Sequence, residues 1–179
     1  MEETTDQDLM ARIATGDERA FRLLSERYVA RALRLAQRIV HNHALAEEIV
    51  QEALLRLWIN SPHWRPAAPF RAWFYRIVVN LSLNQKRGKV LAPLEAAGDP
   101  ADPGPDAMAQ IEAKELDQSI AVAIDALSER QRVAILLTYH EGLSNAETAA
   151  ALGTSVSGVE TLLVRAKRAL RATLANHQS

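Results

Sequence analysis

Two short helices that meet at a single glycine constrain the fold of this chain more than any other feature of its sequence. They lie between Ser144 and Arg171, and Gly153 separates them, with apolar residues at helical spacing on either side. Glycine supplies a turn that a side chain would obstruct, and the small Ala149 lets the two helices approach closely. The residues expected to bury the second helix against the first are Leu152, Val156, Val159, Leu162 and Leu163. The segment therefore predicts a helix-turn-helix.

The second of these helices carries its cations on its last two turns, which is typical of a helix that enters the major groove of DNA. Arg165 and Glu160 are the candidates for reading base edges, because Arg pairs with guanine and Glu with the cytosine amino group. We expect Lys167, Arg168 and Arg171 to contact phosphates, which position the protein without specifying sequence. The predicted groove-facing positions are Ser157, Gly158, Glu160, Thr161, Val164, Arg165, Lys167 and Arg168. The alternative is an amphipathic helical hairpin with a solvated basic end.

The rest of the sequence also has helical periodicity, and strand-like alternation is sustained nowhere, so we expect an all-α protein. Asp17 can cap a first long helix. Further helices are expected over 46–59 and from Phe70 to about Arg87. The proline-rich stretch 61–69 between them cannot continue a helix and is expected to be a loop.

A break in composition divides the chain into two parts. Four of its seven prolines and two of its seven glycines lie within 92–105, among acids and small residues. Such a stretch is too polar and too interrupted to pack a core. We therefore predict two small helical domains, 1–91 and 108–179, joined by a flexible acidic linker over 92–107.

The second domain is expected to begin with helices over 108–126 and 129–141, followed by the helix-turn-helix. Ser128 and Ser144 each stand at the start of a capping-box spacing. In a capping box, the side chains of two residues three positions apart each accept a hydrogen bond from the other residue's backbone N–H.

Charge is distributed unevenly, although the formal net charge is only −1. Residues 56–92 contain seven cations and no acid, whereas 93–125 contains eight acids and a single lysine. From Gly153 onward there are four cations and one acid, Glu160. Two basic segments are therefore separated by an acidic one, and each can concentrate phosphate locally.

Aromatic residues are interleaved with the first basic segment: Trp58, Trp64, Phe70, Trp73, Phe74 and Tyr75. Aromatic rings among cations suit single-stranded nucleic acid, because every base offers a face for stacking. They can also hold a flipped base. The alternative is that the rings belong to the core, which the helical spacing favours for Trp73 and Phe74. For Trp64, which lies in the proline-rich loop beside Arg65, both interpretations remain open.

An acidic helix face precedes this segment and consists of Glu47, Glu48, Gln51 and Glu52. It is either a solubilising surface or a docking surface for a basic partner.

Other classes of function are disfavoured by what the sequence lacks. There is no cysteine, which excludes disulfides and thiolate chemistry and fits a reducing cytosol. His41 and His43 point to different helix faces, and no well-spaced carboxylate completes a metal site. We therefore expect no cofactor, no metal and no enzymatic activity.

The acidic amino terminus is unlike a signal peptide, and no apolar stretch reaches the ~18 residues of a membrane span. The expectation is a cytoplasmic protein without membrane insertion.

Three motifs occur in a characteristic order: AEEIVQEALLRLW (46–58), FRAWFYRIVVN (70–80) and ERQRVAILLTYHEGLSNAETAAALGTSVSGVETLLVRAKRAL (129–170). With the acidic linker between the second and the third, the chain resembles the extracytoplasmic-function (ECF) group of bacterial sigma factors over about residues 5–175. These are small two-domain initiation subunits of RNA polymerase.

The resemblance implies a role for each domain. The first would dock on the β′ clamp helices of core RNA polymerase and melt the promoter −10 element, capturing a flipped base near the loop 61–69. The linker would run toward the RNA exit path. The second would read the duplex −35 element and contact the β flap. An anti-sigma factor is an implied partner.

The implied site residues fall into three sets. Those for polymerase binding are Glu47, Glu48, Gln51 and Glu52. Those for −10 DNA, duplex and single-stranded, are Trp64, Arg65, Phe70, Arg71, Arg76, Asn80, Lys86 and Arg87. Those for −35 DNA are Ser157, Glu160, Thr161, Arg165, Lys167 and Arg168.

Some positions depart from the pattern of the family. Leu54 stands where an aromatic residue is common, and Asn84 where an acid is frequent. Glu160 and Thr161 replace polar or basic base-reading residues, so the −35 sequence does not follow by analogy.

The alternative function is a stand-alone helix-turn-helix regulator. Such proteins usually dimerise on half-sites, and this reading leaves the basic aromatic segment unexplained.

Overall fold

The protein is all-α, as predicted, in a computed structural model that describes residues 4–89 and 118–177. No strand occurs within these two ranges. The described helices are α1 (Asp6–Ile13), α2 (Glu18–Val40), α3 (His43–Asn60), α4 (Phe70–Lys89), α5 (118–125), α6 (Glu129–Ile135), α7 (Asn145–Leu152) and α8 (Val156–His177). A 3-10 turn, Ser61–His63, follows α3, and a π-helical turn, Leu136–His140, follows α6. The predicted linker 92–107 and the first residues of the predicted second domain lie outside the described residues.

Side-chain caps explain where several helices begin. The Asp17 carboxylate accepts the Ala20 N–H at the start of α2, as predicted. Ser128 and Ser144 begin complete capping boxes at α6 and α7, which confirms both of those predictions. Asn42 caps α3 with its side chain alone, as Asp17 caps α2. It follows His41, which ends α2 in the left-handed region at φ 53°. Each such cap stabilises its helix by about 1 kcal/mol.

The first four helices enclose a core in which small residues allow close approach. Ala32 and Ala36 of α2 and Ala46 and Ala53 of α3 are all 0% exposed, and their small side chains let packed helices approach closely. Larger buried residues fill the remaining space: Leu24, Leu35, Ile39, Ile49, Leu57, Phe74 and Val78. Burial of each large aliphatic side chain contributes about 1.5–3 kcal/mol relative to exposure.

The helix-turn-helix is formed by α7 and α8, with Gly153 in the left-handed region at φ +62°. Val159 and Leu163 are buried beside Ala149, as expected. Leu152 and Leu162 are half-buried and pack against the same cluster. The prediction was wrong for Val156, which is 43% exposed. It is the first residue of α8 and lies before the apolar stripe that contacts α7.

The two halves of the chain share one continuous apolar core. Val133, Leu136 and Leu137 pack with the buried residues of α1–α4, and so do Leu143 and Ala151. The contact runs mainly between α4 and α7, the first helix of the helix-turn-helix. The predicted domains therefore lie directly against each other in this structure.

Candidate nucleic-acid interface

One face of α8 is exposed and carries the six residues of the implied −35 set. Ser157, Glu160, Thr161, Arg165, Lys167 and Arg168 are all exposed. Val159, Leu163 and Ala166 occupy the opposite face and anchor the helix to the core of the second half. Because the buried and exposed residues alternate with helical period, α8 presents a polar stripe from Ser157 to Arg168, about three turns long.

Two details of this surface were not visible in the sequence. The Lys167 ammonium lies 4.9 Å from the centre of the Tyr139 ring, a cation–π contact that restrains the side chain. A Cβ at Gly158 would lie 2.7 Å from Thr154 Oγ1, so glycine is the residue that fits between α8 and the turn before it. Val164 is 60% exposed in the middle of the stripe and offers an apolar contact of the kind that a thymine methyl group accepts.

Trp58 packs against Phe21, with ring centres 5.3 Å apart, whereas the other aromatic residues of the first half form one cluster around Tyr28. Its ring packs edge-on against Phe70, with ring centres 5.1 Å apart, and Phe70 stacks on Phe74 at 5.7 Å. Trp64 and Trp73 complete the cluster, with their ring centres 6.4 Å apart. The core interpretation is confirmed for Phe74, which is 0% exposed, while Trp73 is half-buried against the core.

Phe70 and Trp64 are less available to nucleic acid than the sequence suggested. Phe70 is only 2% exposed, so a base cannot stack on its ring in this arrangement. The reason is that Tyr28, which lies outside the three motifs, covers the ring. Trp64 is half-buried, and its Nε1 is enclosed without a hydrogen-bond partner.

Four of the predicted −10 residues are exposed: Arg65, Arg76, Asn80 and Arg87. The last three follow one another along one stripe of α4. Arg65 lies in the proline-rich loop that precedes α4.

The remaining predicted cations of this set are engaged by the second half of the chain. The Arg71 guanidinium donates to both carboxylate oxygens of Glu147 in α7, with Nε–Oε1 at 2.6 Å and Nη2–Oε2 at 2.5 Å. This ion pair holds the pKa of Glu147 below its usual range and raises the pKa of Arg71. Lys86 lies 3.5 Å from a carboxylate oxygen of Glu129.

A buried hydrogen bond accompanies this ion pair. Tyr75 Oη donates to Glu141 Oε2 at 2.6 Å, and the Glu141 side chain is 1% exposed. Its second oxygen lies 3.0 Å from His140 Nδ1. Burial, with the hydrogen bond to Glu141, raises the pKa of Tyr75, so the phenol remains a donor at neutral pH. The partners are 66 residues apart, so helical spacing could not have revealed the contact.

The predicted polymerase-binding face of α3 is acidic and continues toward the end of the helix into two exposed apolar residues. Glu47, Glu48 and Gln51 are exposed, and Glu52 is half-buried beside Arg56, whose Nε lies 2.8 Å from Glu52 Oε1. Leu55 and Ile59 lie on the same face and are 52% and 60% exposed. Sequence reasoning missed these two residues, although their offset from the buried stripe of α3 was the signal that could have found them.

His41, His43 and His140 each lie beside a polar partner in the described part of the chain. His41 Nε2 lies 3.4 Å from Asp125 Oδ1 and 3.3 Å from the Arg132 guanidinium. Arg132 is 6% exposed and donates to the carbonyl oxygens that end α5.

Among the described residues no group of three or more His, Cys, Asp or Glu side chains could hold a metal ion. Within 4–89 and 118–177, no helix is both long and apolar enough to cross a membrane.

An all-α chain with a cationic helix-turn-helix in one half and a basic aromatic helix in the other defines a two-part nucleic-acid-binding protein. Comparison with known families gives a more specific answer. The Sigma-70 region 2 model matches residues 24–90, and the Sigma-70, region 4 model matches residues 117–170.

Relatives match the chain over nearly its full length. It is 30% identical over 176 residues to the RNA polymerase sigma-H factor of Pseudomonas aeruginosa, covering 92% of this chain and 91% of that one. It is 31% identical over 180 residues to the ECF RNA polymerase sigma-E factor of Escherichia coli, covering 94% of each. A solved structure of CnrH in complex with the cytosolic domain of CnrY is also similar, with a TM-score of 0.74, 29% identity and coverage of 96% and 97%. The chain belongs to the sigma-70 family, in its ECF group.

Proposed function

We propose that this protein directs core RNA polymerase to specific promoters and helps to open the −10 element. The observation that carries the proposal is the presence of two separate exposed polar and basic surfaces, on α4 and on α8, in the segments that match sigma regions 2 and 4. The function needs no catalysis by this chain, because binding energy to the unpaired strand can drive melting. It places the protein in the cytoplasm, with the polymerase.

In the proposed division of labour, domain 1–91 docks on polymerase and domain 108–179 reads duplex, with 92–107 as the linker. The acidic and apolar face of α3 would bind the β′ clamp helices. The exposed face of α8 would lie in the major groove of the −35 element, while the second domain also contacts the β flap. The exposed α4 residues Arg76, Asn80 and Arg87 would contact the −10 region, with Arg65 in the adjoining loop.

An anti-sigma factor is part of this proposal. The support is the similarity to CnrH, whose solved structure contains the cytosolic domain of CnrY. Such a partner would compete with polymerase for one or both surfaces.

The decisive experiment combines the purified protein with core RNA polymerase and a promoter library, and sequences the transcripts. We expect initiation at a defined set of promoters that share two elements. Tight, specific duplex binding by the protein alone, with no transcripts when core polymerase is present, would instead indicate a stand-alone regulator.

A matched pair of variants tests the docking face. Glu48→Lys reverses an exposed charge on α3 and is expected to abolish initiation by weakening polymerase binding. Glu26→Lys makes the same change at an exposed position of α2 and is expected to leave initiation intact. Equal loss in both variants would show that the α3 face has no special role.

A further inference from the structure

A cleft of about 690 Å³ lies between α2 and α5, and the proposed function leaves it unused. One wall is formed by the end of α2 and carries two arginines, and the other is formed by α5 and is mainly apolar. None of the lining residues belongs to the predicted polymerase, −10 or −35 sets. Small-molecule sites in proteins have volumes of roughly 300–1,000 Å³, so the cleft has the size of such a site.

The α2 wall carries cations without a partner among the described residues. Arginines recur along one stripe of α2, at Arg27, Arg31, Arg34 and Arg38. Arg27 is held by Asp6, with Nη1 2.8 Å from Oδ1. Arg34 and Arg38 line the cleft, are exposed, and make no hydrogen bond or ion pair within 4–89 and 118–177. Because they lie one helical turn apart, their guanidinium groups can donate to the same anion.

Among the described residues only one acid lines the cleft, and it is already engaged. Asp125 Oδ1 lies 3.4 Å from His41 Nε2 and 4.0 Å from Arg132 Nε. Arg132 is buried, and its guanidinium is permanently charged. Because Arg132 balances the charge of Asp125, the two exposed arginines leave the cleft with an excess of positive charge. The cleft therefore favours an anion.

The α5 wall supplies apolar surface to the same cleft. Ile120 is 37% exposed, and the neighbouring Ala121 is also exposed. Ile124 lies one turn further along and is half-buried. In small-molecule sites, apolar side chains cover the body of a ligand while a few charged groups fix its orientation. A ligand that satisfies both walls combines an anionic group with a planar apolar part.

We propose that the cleft between α2 and α5 is a binding site for a nucleotide: Arg34 and Arg38 bind its phosphates, and the α5 wall packs against its base. Guanidinium groups match phosphate oxygens with paired, charge-assisted hydrogen bonds. A chain of phosphates carries several negative charges, so it can reach both arginines at once. A small inorganic anion would leave the α5 wall in contact with water. Such a site goes beyond the proposed function and does not rest on it, because binding needs neither polymerase nor promoter.

Binding is measured on the purified full chain with ATP and, in parallel, GTP, each labelled on the ribose with a fluorescent methylanthraniloyl group. Anisotropy follows the bound fraction. Arg38→Ala is expected to weaken binding about tenfold, because a charge-assisted contact is lost. Arg34→Ala combined with Arg38→Ala is expected to abolish it. Arg19→Ala makes the same charge change at an exposed position of α2 outside the cleft and should leave the affinity unchanged.

A matched pair of variants at Ala121 separates charge from bulk. Ala121→Glu adds a carboxylate to the cleft that can occupy the arginines, so it is expected to abolish nucleotide binding. Ala121→Gln adds nearly the same volume without the charge and should retain most of the affinity. Thermal unfolding shows that each variant is folded. Nucleotide should raise the unfolding midpoint of the original protein and of Ala121→Gln, but not that of Ala121→Glu.

Competition tests whether both walls take part. Unlabelled nucleotide should displace the probe about tenfold better than inorganic pyrophosphate or the free nucleoside, because each of these satisfies only one wall. Single-stranded DNA of random sequence, at equal phosphate concentration, should compete no better than pyrophosphate. Equal displacement by pyrophosphate and nucleotide, or stronger displacement by DNA, would overturn the inference. So would the absence of binding of both labelled nucleotides, or an equal loss of affinity in Arg19→Ala and Arg38→Ala.

Discussion

At the scale of single residues, Arg165 and Lys167 are neighbours on α8 that are expected to do different work. Arg165 can donate two hydrogen bonds to guanine, so Arg165→Ala should relax −35 preference at one position and cost about 1–3 kcal/mol. Lys167→Ala should weaken binding to all sequences alike and flatten the salt dependence by about one unit of slope. Binding to a duplex library at two salt concentrations measures both effects.

The contact between Lys167 and Tyr139 adds a control to that prediction. Tyr139→Leu removes the ring beneath the ammonium without changing the charge. It is expected to affect affinity less than Lys167→Ala and to leave the salt slope intact. Identical behaviour of Arg165→Ala and Lys167→Ala would contradict the assignment of base reading to one and phosphate contact to the other.

Leu55 is expected to contribute to polymerase binding because an exposed leucine beside the acidic residues of α3 gains by burial in a complex. Leu55→Ser should weaken binding to core polymerase by about 1–3 kcal/mol, from the apolar burial that is lost. The stability of the free protein should not change, since the side chain is 52% exposed. Titration with labelled core polymerase and thermal unfolding measure the two effects. Val122→Ser, at a similarly exposed position of α5, should change neither.

At the scale of elements, the turn between α7 and α8 depends on one backbone conformation. Gly153 has φ +62°, and a Cβ there would lie no closer than 3.6 Å to Arg76. Gly153→Ala therefore suffers conformational strain without a clash and should lower the free energy of unfolding by about 1 kcal/mol. Gly153→Asn should lower it less, because asparagine tolerates the left-handed region. Urea denaturation measures both, and equal stability of all three proteins would contradict the strain argument.

The elements that could be predicted from the sequence are those whose causes are local. Asp17, Ser128 and Ser144 cap residues three positions away, and Gly153 ends its own helix. The π-helical turn at Leu136–His140 was predicted only as continuous helix.

The parts of the site that sequence reasoning missed depend on distant partners. Arg71 and Glu147 are 76 residues apart, and Phe70 is covered by Tyr28 from another helix. Periodicity assigns a residue to the face of its own helix. It does not say which other helix covers that face.

At the scale of the whole molecule, the contact between the halves should make stability depend on acidity through Glu147. Its pKa is lowered in the folded protein, chiefly by the hydrogen bonds from Arg71 and then by those of the capping box. A carboxyl group with a depressed folded pKa contributes stability above its unfolded pKa. That contribution is lost as the pH falls through the folded pKa. The other groups facing it are the Arg71 cation and the hydroxyl of Ser144, and neither titrates in this range.

The free energy of unfolding of the original protein should therefore fall more steeply than that of Glu147→Gln as the pH drops from 6 to 3. Urea denaturation at several pH values in that window measures the difference. Asp8 and Asp17 also have lowered pKa values and lose stability there, but they do so equally in both proteins. The gap between the two curves thus isolates Glu147, and it should be widest at pH 6 and close toward pH 3. Parallel curves would mean that the Arg71–Glu147 pair does not hold the two halves together in solution.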